Sequence, residues 1–141
     1  MDILILNGPN LNLIGTREPE IYGHQTMEEV IGEIRDAFPN LLIHHFQTNH
    51  EVDIIDKLQE VGFTYNGIIL NAGGYTHTSI AIADAVKAIT TPVVEVHISD
   101  IENREDFRKH SYISANAVHK VIGKGVGGYH EAVAYFLDHS Q

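Results

Sequence analysis

Short apolar runs alternate with segments of helical periodicity along nearly the whole chain. Such nearly continuous apolar runs are typical of buried parallel strands, and the segments between them are long enough for covering helices. The pattern therefore predicts alternating strands and helices around one parallel sheet. The five apolar runs are Ile3–Leu6, Leu41–Phe46, Gly67–Leu70, Val93–Val96 and Val118–Ile122.

Four of the intervening segments carry helical signals. Thr26 and Glu29 have the spacing of a capping box, and apolar residues at the spacing of one helix face follow them. A second helix would end at Gly62, and a third would begin near 76–79. The apolar positions that define these faces are Val30, Ile31, Ile34 and Phe38 in the first helix, Val52, Ile55 and Leu58 in the second, and Tyr129, Val133 and Phe136 in the last.

Five such units predict an α/β fold, a flavodoxin-like doubly wound five-stranded parallel sheet with helices on both faces. In folds of this kind the strand order is 2-1-3-4-5, and ligands bind beyond the carboxyl ends of the strands where that order reverses. The three most unusual loops of the sequence follow strands one, three and four, which would meet at that edge. We therefore expect the functional site there.

Length, charge and cysteine content narrow the classes of function. The 141 residues suit a single catalytic domain, 1–141, and no apolar run is long enough to span a membrane. The chain has no cysteine and no basic signal-peptide flank at its start, which favours a cytoplasmic protein. A formal net charge of −10 argues against nucleic-acid binding. An anionic substrate would then depend on locally placed donors.

The loop after the first strand runs to Gly23 and exceeds the usual length of about 2–6 residues for such a connection. It is either a surface Ω-loop or a lid, and Gly15 and Gly23 would be its hinges. Between them lie Arg17 and Tyr22. A free phenol has a pKa near 10, so a tyrosine acting as a base needs a nearby positive charge.

The segment 71–79, with sequence N-A-G-G-Y-T-H-T-S, follows the third strand. Gly73 and Gly74 would let the backbone approach a ligand, and the hydroxyls at its end would cap the next helix. A phosphate-binding loop is the rival interpretation, although neither common glycine-rich phosphate motif is present.

The helix that follows, 80–86, is apolar around almost its whole circumference, which in so small a domain indicates a subunit interface. Asp84 is the one charged residue in this segment. A carboxylate in that setting requires a partner, either a structural one or a ligand hydroxyl supplied across the interface.

Glu95 and His97 alternate along the fourth strand and therefore share one face, so the carboxylate can orient the imidazole. A purely structural pair is the alternative. Arg104 and Arg108 follow, four residues apart on a predicted helical turn, where a solvated face is the alternative.

The chain contains ten histidines, which raises the possibility of a metal site. His44 and His45 would point to opposite faces of a strand, however, and no H-E-x-x-H motif is present. We therefore expect no metal.

These stretches resemble, in order, the type II dehydroquinase family, and the likeness spans nearly the full chain. Three matching blocks fall at the same predicted edge of the sheet. The motifs are L-N-G-P-N at 6–10, G-x-R-x-P-x-x-Y-G at 15–23, N-A-G-G-Y-T-H-T-S at 71–79, E-V-H-I-S at 95–99 and F-R-x-x-S at 107–111.

The resemblance implies a cofactor-free reaction in which 3-dehydroquinate loses water to give 3-dehydroshikimate through an enolate. The pathway would be the shikimate route of aromatic amino acid biosynthesis or quinate breakdown. Tyr22 would remove the C2 proton, and Arg17 would stabilise its phenolate. Asn10 would hold a water at the enolate oxygen. His97, oriented by Glu95, would protonate the leaving C1 hydroxyl.

The resemblance also implies the contacts with the substrate and the assembly. Family members form dodecamers built from trimers, so one contact would come from a neighbouring subunit, through Asp84. The sequence departs from the family's common pattern at Asp100 and at 102–103. The implied substrate-binding residues are Asn71, His77, Asp84, Ile98, Ser99 and Arg108.

A flavodoxin-like binding or signalling domain and a metal-dependent hydrolase are the two rival classes of function. The first gives no reason for Arg17, Tyr22, His77 and His97 to converge, and the second lacks a recognisable ligand set.

Overall fold

Five parallel strands form one sheet in the order β2-β1-β3-β4-β5. The computed structural model describes residues 1–16 and 18–140, but not the side chain of Tyr22. The predicted fold and strand order are confirmed, and each predicted strand end lies within one residue of the observed one. The strands are β1 (Asp2–Asn7), β2 (Leu42–Gln47), β3 (Gly67–Asn71), β4 (Val93–His97) and β5 (His119–Ile122).

α-Helices connect the first four strands, loops with 3₁₀ turns connect β4 to β5, and the last helix follows β5, so that helices cover both faces of the sheet. Short 3₁₀ turns lie in the loops that follow β1, β3 and β4, at Leu11–Leu13, Gly73–His77, Ile101–Asn103, Asp106–Arg108 and Ser114–Asn116. The helices are α1 (Pro19–Tyr22), α2 (Met27–Ala37), α3 (Glu51–Val61), α4 (Ile80–Ala88) and α5 (Gly127–Asp138).

Alternation along β1 divides the core into two layers. Ile3 and Ile5 belong to the layer beneath α2 and α5, whereas Leu4 and Leu6 belong to the layer beneath α3 and α4. All four side chains are buried. Because successive strand residues point to opposite faces, an apolar run without polar interruption is what a sheet covered on both sides requires.

Capping fixes where two of the helices begin. Thr26 Oγ1 accepts a hydrogen bond from the Glu29 backbone N–H at 3.2 Å, and the Thr26 N–H donates to Glu29 Oε1 at 3.3 Å, which is the predicted capping box. Ser79 Oγ accepts from the Ile82 N–H at 2.9 Å and starts α4 at the edge of the site.

The predicted core face of α3 is wrong in one position. Val52 is 63% exposed, and the buried face is formed by Ile54, Leu58 and Val61. Each residue of an α-helix advances by about 100°, so Val52 lies about 160° from Ile54 around the axis. Both positions cannot face the sheet, and Ile54 takes the core place in line with Leu58.

Candidate active site

A cavity of about 120 Å³ opens beyond the carboxyl ends of β1, β3 and β4, at the predicted switch point of the sheet. Its walls are the three loops that the sequence singled out. Seven predicted site residues line it together with Arg104, and the seven are Asn10, Asn71, His77, His97, Ile98, Ser99 and Arg108.

A buried hydrogen-bonded cluster lies at the end of β4. His97 Nε2 is 2.6 Å from Glu95 Oε2, and both side chains are at most 5% exposed. Ser111 Oγ donates to the same carboxylate oxygen at 2.6 Å, and Ser114 Oγ donates to Oε1 at 2.5 Å. The carboxylate therefore accepts three hydrogen bonds and holds His97 in one orientation at the cavity wall.

The charge state of Glu95 determines which nitrogen of His97 carries the proton. Burial alone would raise the pKa of Glu95, but the hydrogen bonds from His97, Ser111 and Ser114 and the attraction of His97 together lower it. An ionised carboxylate can only accept, so His97 Nε2 is the donor. His97 Nδ1 has no hydrogen-bond partner among the described residues and is the nitrogen available to a ligand.

His77 stacks beside His97, with ring centroids 6.4 Å apart. Its Nδ1 donates to the His110 carbonyl at 2.8 Å, which leaves Nε2 as an acceptor when the ring is neutral. Partial burial is the largest cause that lowers the pKa of His77, and the positive charges of His97 and Arg108 lower it further. At neutral pH His77 can therefore accept a hydrogen bond from a ligand hydroxyl.

The end of β3 contributes Asn71, which is 4% exposed. Its Nδ2 donates to Tyr129 Oη at 3.0 Å, and its Oδ1 accepts from the Gly73 N–H at 3.1 Å. Gly73 adopts a φ of 60°, which places this part of the backbone against Pro9. One N–H of the Asn71 amide has no partner among the described residues and is available at the cavity.

The cationic side of the cavity is formed by the connection after β4. Arg104 Nη1 donates to Ser99 Oγ at 3.3 Å, and Arg108 Nε lies 2.8 Å from Glu105 Oε2. The predicted helical turn is wrong, because Arg104 is extended between two 3₁₀ turns. Both guanidinium groups line the cavity and supply local positive charge in a strongly acidic chain.

Neither backbone N–H of Ile98 and Ser99 donates a hydrogen bond within the described part of the chain. Two adjacent free N–H groups beside Arg104 can bind a carboxylate. Asp100, where the family's common residue differs, does not line the cavity. It caps a 3₁₀ turn by accepting from the Glu102 N–H at 3.2 Å and from Asn103 Nδ2 at 2.5 Å.

The loop after β1 supplies Asn10, whose backbone is left-handed with a φ of 70° and whose N–H donates to Asn49 Oδ1 at 3.1 Å. Gly15 and Gly23 have φ values of 93° and 82°, in the region that favours glycine. They lie where the sequence predicts hinges. Arg17 and the Tyr22 side chain, two of the predicted catalytic groups, lie outside the described residues.

Asp84 lies apart from the cavity of its own chain. It sits on the exposed side of α4 with Ile80, Ala81, Lys87 and Ala88, whereas Ile82 and Val86 are buried on the opposite side. Within one chain α4 is therefore exposed on one side, which a second subunit could cover, and the predicted subunit interface stays a prediction.

Three residues near the site were not predicted from the sequence to have a role there. Arg104 lines the cavity, Ser114 contacts Glu95, and Tyr129, which the sequence predicts only as a core residue, contacts Asn71. Ser114 lies 19 residues along the chain from its partner Glu95, and Tyr129 lies 58 residues from its partner Asn71. No local sequence pattern therefore indicates either contact. Only the three-dimensional fold reveals their contacts.

Within the described residues, no three potential ligands are grouped closely enough to hold a metal ion. His44 contacts Asp2 at 3.0 Å and His45 contacts Asn7 at 3.0 Å, so these neighbours point apart as expected for a strand. No helix among the described residues has the length and apolar character needed to cross a membrane.

Known proteins resemble this chain over nearly its whole length. The family model described as dehydroquinase class II matches residues 1–137. A 3-dehydroquinate dehydratase of Corynebacterium glutamicum (strain R) is 51% identical over 133 residues, which cover 93% of this chain and 92% of the relative. A catabolic 3-dehydroquinase of Penicillium rubens is 46% identical over 135 residues, covering 94% and 87%.

A solved structure shows the same architecture. The crystal structure of the type II dehydroquinase from Butyrivibrio crossotus matches with a TM-score of 0.93 at 40% identity, with 97% of each chain covered. The family resemblance of the sequence is thereby confirmed, and the chain belongs to the class II dehydroquinase family.

Proposed function

We propose that this chain removes water from 3-dehydroquinate to give 3-dehydroshikimate. The observation that carries the proposal is the Glu95–His97 pair, which presents one imidazole nitrogen to a cavity lined by two arginines and by polar side chains. The relatives with about half of their residues identical bear the name of this activity.

The reaction needs a base, a stabiliser of the enolate and an acid. The C3 ketone acidifies the C2 hydrogens, and Tyr22 as phenolate takes one of them, with Arg17 stabilising the phenolate charge. The C2–H bond breaks and the electron pair enters the enolate, whose oxygen a water held by Asn10 would stabilise.

His97 completes the elimination on the other side of the ring. The enolate collapses, the C1–O bond breaks and the C1–C2 double bond forms. The departing hydroxyl takes a proton from His97 Nδ1 and leaves as water. Glu95, hydrogen-bonded to Nε2, stabilises the imidazolium that exists before this transfer. The Tyr22 proton then returns to His97 or to solvent, and the site is reset.

The substrate carboxylate would be bound by the N–H groups of Ile98 and Ser99 and by the Ser99 hydroxyl. Arg104, which donates to Ser99 Oγ, adds the positive charge that a substrate anion needs in an acidic protein. His77 would accept from a ring hydroxyl through Nε2, and Arg108 would donate to another. These contacts account for the polar lining of the cavity.

Assembly would complete each site. The single domain 1–141 would supply every group except Asp84, which reaches a ring hydroxyl or His77 from a neighbouring chain. The exposed side of α4 supports this arrangement, since burying its apolar residues Ile80, Ala81 and Ala88 between subunits would remove them from water. We infer a dodecamer built from trimers. We also infer a cytoplasmic enzyme of the shikimate pathway of aromatic amino acid biosynthesis.

The test of the activity is direct. Purified chain is mixed with 3-dehydroquinate, and the ultraviolet absorbance of the conjugated enone is followed with and without a chelator. Mass spectrometry then checks that the product has lost one water. We expect equal rates in both arms. Binding without turnover would favour the binding or signalling domain, and loss of turnover with chelator would favour a metal-dependent enzyme.

A further inference from the structure

A chain of hydrogen bonds runs beneath the cavity and joins strands β2, β1 and β3 through helix α5. Asn7 Nδ2 lies 3.0 Å from His45 Nε2, and Tyr129 Oη donates to Asn7 Oδ1 at 2.7 Å. Asn71 Nδ2 donates to Tyr129 Oη at 3.0 Å, and Gly73 N–H donates to Asn71 Oδ1 at 3.1 Å. This series of hydrogen bonds thus leads to Asn71, which lines the cavity.

The direction of these hydrogen bonds follows from which atoms can donate and which can only accept. A tyrosine hydroxyl has one hydrogen, and Tyr129 gives it to Asn7, so toward Asn71 it can only accept. Gly73 N–H can only donate, so the Asn71 oxygen must face it. The two bonds together fix both ends of the Asn71 amide and leave its second N–H for the cavity.

Packing alone does not explain the Tyr129 hydroxyl. The side chain is 0% exposed within a cluster of apolar residues, where phenylalanine would fill nearly the same volume. A buried hydroxyl costs free energy unless it is hydrogen-bonded, and this one is bonded to two buried amides. Burial raises the pKa of Tyr129, so the phenol keeps its proton and its bond to Asn7.

We propose that Tyr129 is a positioning residue, whose hydroxyl holds the Asn71 amide so that its second N–H faces the oxygen leaving the substrate beside His97. Asn71 and His97 line the same cavity, and Tyr129 reaches it only through Asn71. The inference rests on the proposed dehydration.

Tyr129→Phe removes the hydroxyl and keeps the ring. Because the contact with the leaving oxygen strengthens as the C1–O bond breaks, we expect kcat to fall about tenfold with KM changed less than about twofold. In an Asn71→Ala background the same substitution should cause almost no further loss of kcat, because coupled residues are not additive. An equal loss in both backgrounds, or none in the wild-type background, would overturn the proposal.

A matched control separates positioning from stability. Val133 is fully buried one turn farther along α5, and Val133→Ala should lower the melting temperature while kcat, measured well below it, stays at the wild-type value. A comparable fall of kcat in Val133→Ala would assign the effect to stability. Should Tyr129→Phe fail to fold, Asn7→Ala frees the Tyr129 hydroxyl to turn and should again lower kcat only when Asn71 is present. No loss, or an equal loss without Asn71, overturns the proposal.

A crystal structure of Tyr129→Phe supplies a readout that needs no turnover. The Asn71 side chain should leave its place between Gly73 and α5. If it keeps that place, Tyr129 does not position it. If the wild-type chain does not turn over 3-dehydroquinate, the proposed function fails, and this structure still decides whether Tyr129 holds Asn71.

Discussion

Replacing Glu95 with glutamine separates the effect of the carboxylate's charge from the effect of its hydrogen-bond geometry. Glu95 Oε2 accepts from His97 Nε2 and Ser111 Oγ, and Oε1 accepts from Ser114 Oγ. A glutamine oxygen in the Oε2 place keeps the first two bonds. Its NH₂ group then meets Ser114, whose hydroxyl can turn and accept instead. Glu95→Gln therefore keeps the imidazole in place while removing one negative charge.

The magnitude follows from the difference between charged and neutral hydrogen bonds. A hydrogen bond to a charged group contributes about 1.5–3 kcal/mol, against about 1 kcal/mol for a neutral one. The imidazolium that must protonate the leaving group thus loses about 0.5–2 kcal/mol of stabilisation. At about 1.4 kcal/mol for each factor of ten, kcat should fall about 2- to 30-fold.

The assay is steady-state turnover of 3-dehydroquinate across pH, with His97→Ala measured in parallel. His97→Ala should lose nearly all turnover. Wild-type kcat at every pH in Glu95→Gln would show that the carboxylate is only structural, and normal kcat in both variants would move the acid role elsewhere.

Three further predictions concern the base, the assembly and acid stability. Tyr22→Phe should lower kcat by several orders of magnitude while substrate still binds, and a fall below about tenfold would mean that another group takes the proton. Dilution to monomers, followed by light scattering and turnover, should remove most activity because Asp84 is then missing, and full activity per monomer would refute this. The pKa of Glu95 is lowered on folding, so its charge stabilises the fold above the reference value of 4.5, and this contribution is lost as pH falls through the lower folded value. Melting curves in that acid range should fall more steeply for wild type than for Glu95→Gln, and parallel curves would contradict the reasoning.

Local sequence signals were sufficient for the strands and for the position of the site. The apolar run at Ile3–Leu6 has to be buried on both faces, whatever packs on it, and the capping box at Thr26 and Glu29 is complete within four residues. Glu95 and His97 share a strand face by alternation alone. The carboxyl ends of parallel strands then bring the three unusual loops to one edge.

Tertiary geometry decided what the sequence could not. Val52 and Ile54 are both apolar, and only the seating of α3 on the sheet selects Ile54 for the core. Ser114 contacts Glu95 because a 3₁₀ turn after β4 returns to the strand. Tyr129 looks like any apolar helix position until its hydroxyl meets Asn71 at the end of β3.

The dehydration itself is tested most directly by comparing the wild-type chain with two histidine variants in the enone absorbance assay. His97→Ala removes the proposed acid, and His119→Ala removes an exposed histidine on β5 that stacks on Tyr135 and does not line the cavity. We expect wild type and His119→Ala to form the enone at equal rates and His97→Ala to form almost none. Absence of enone with the wild-type chain, or a wild-type rate in His97→Ala, would contradict the assignment of this cavity as the dehydration site.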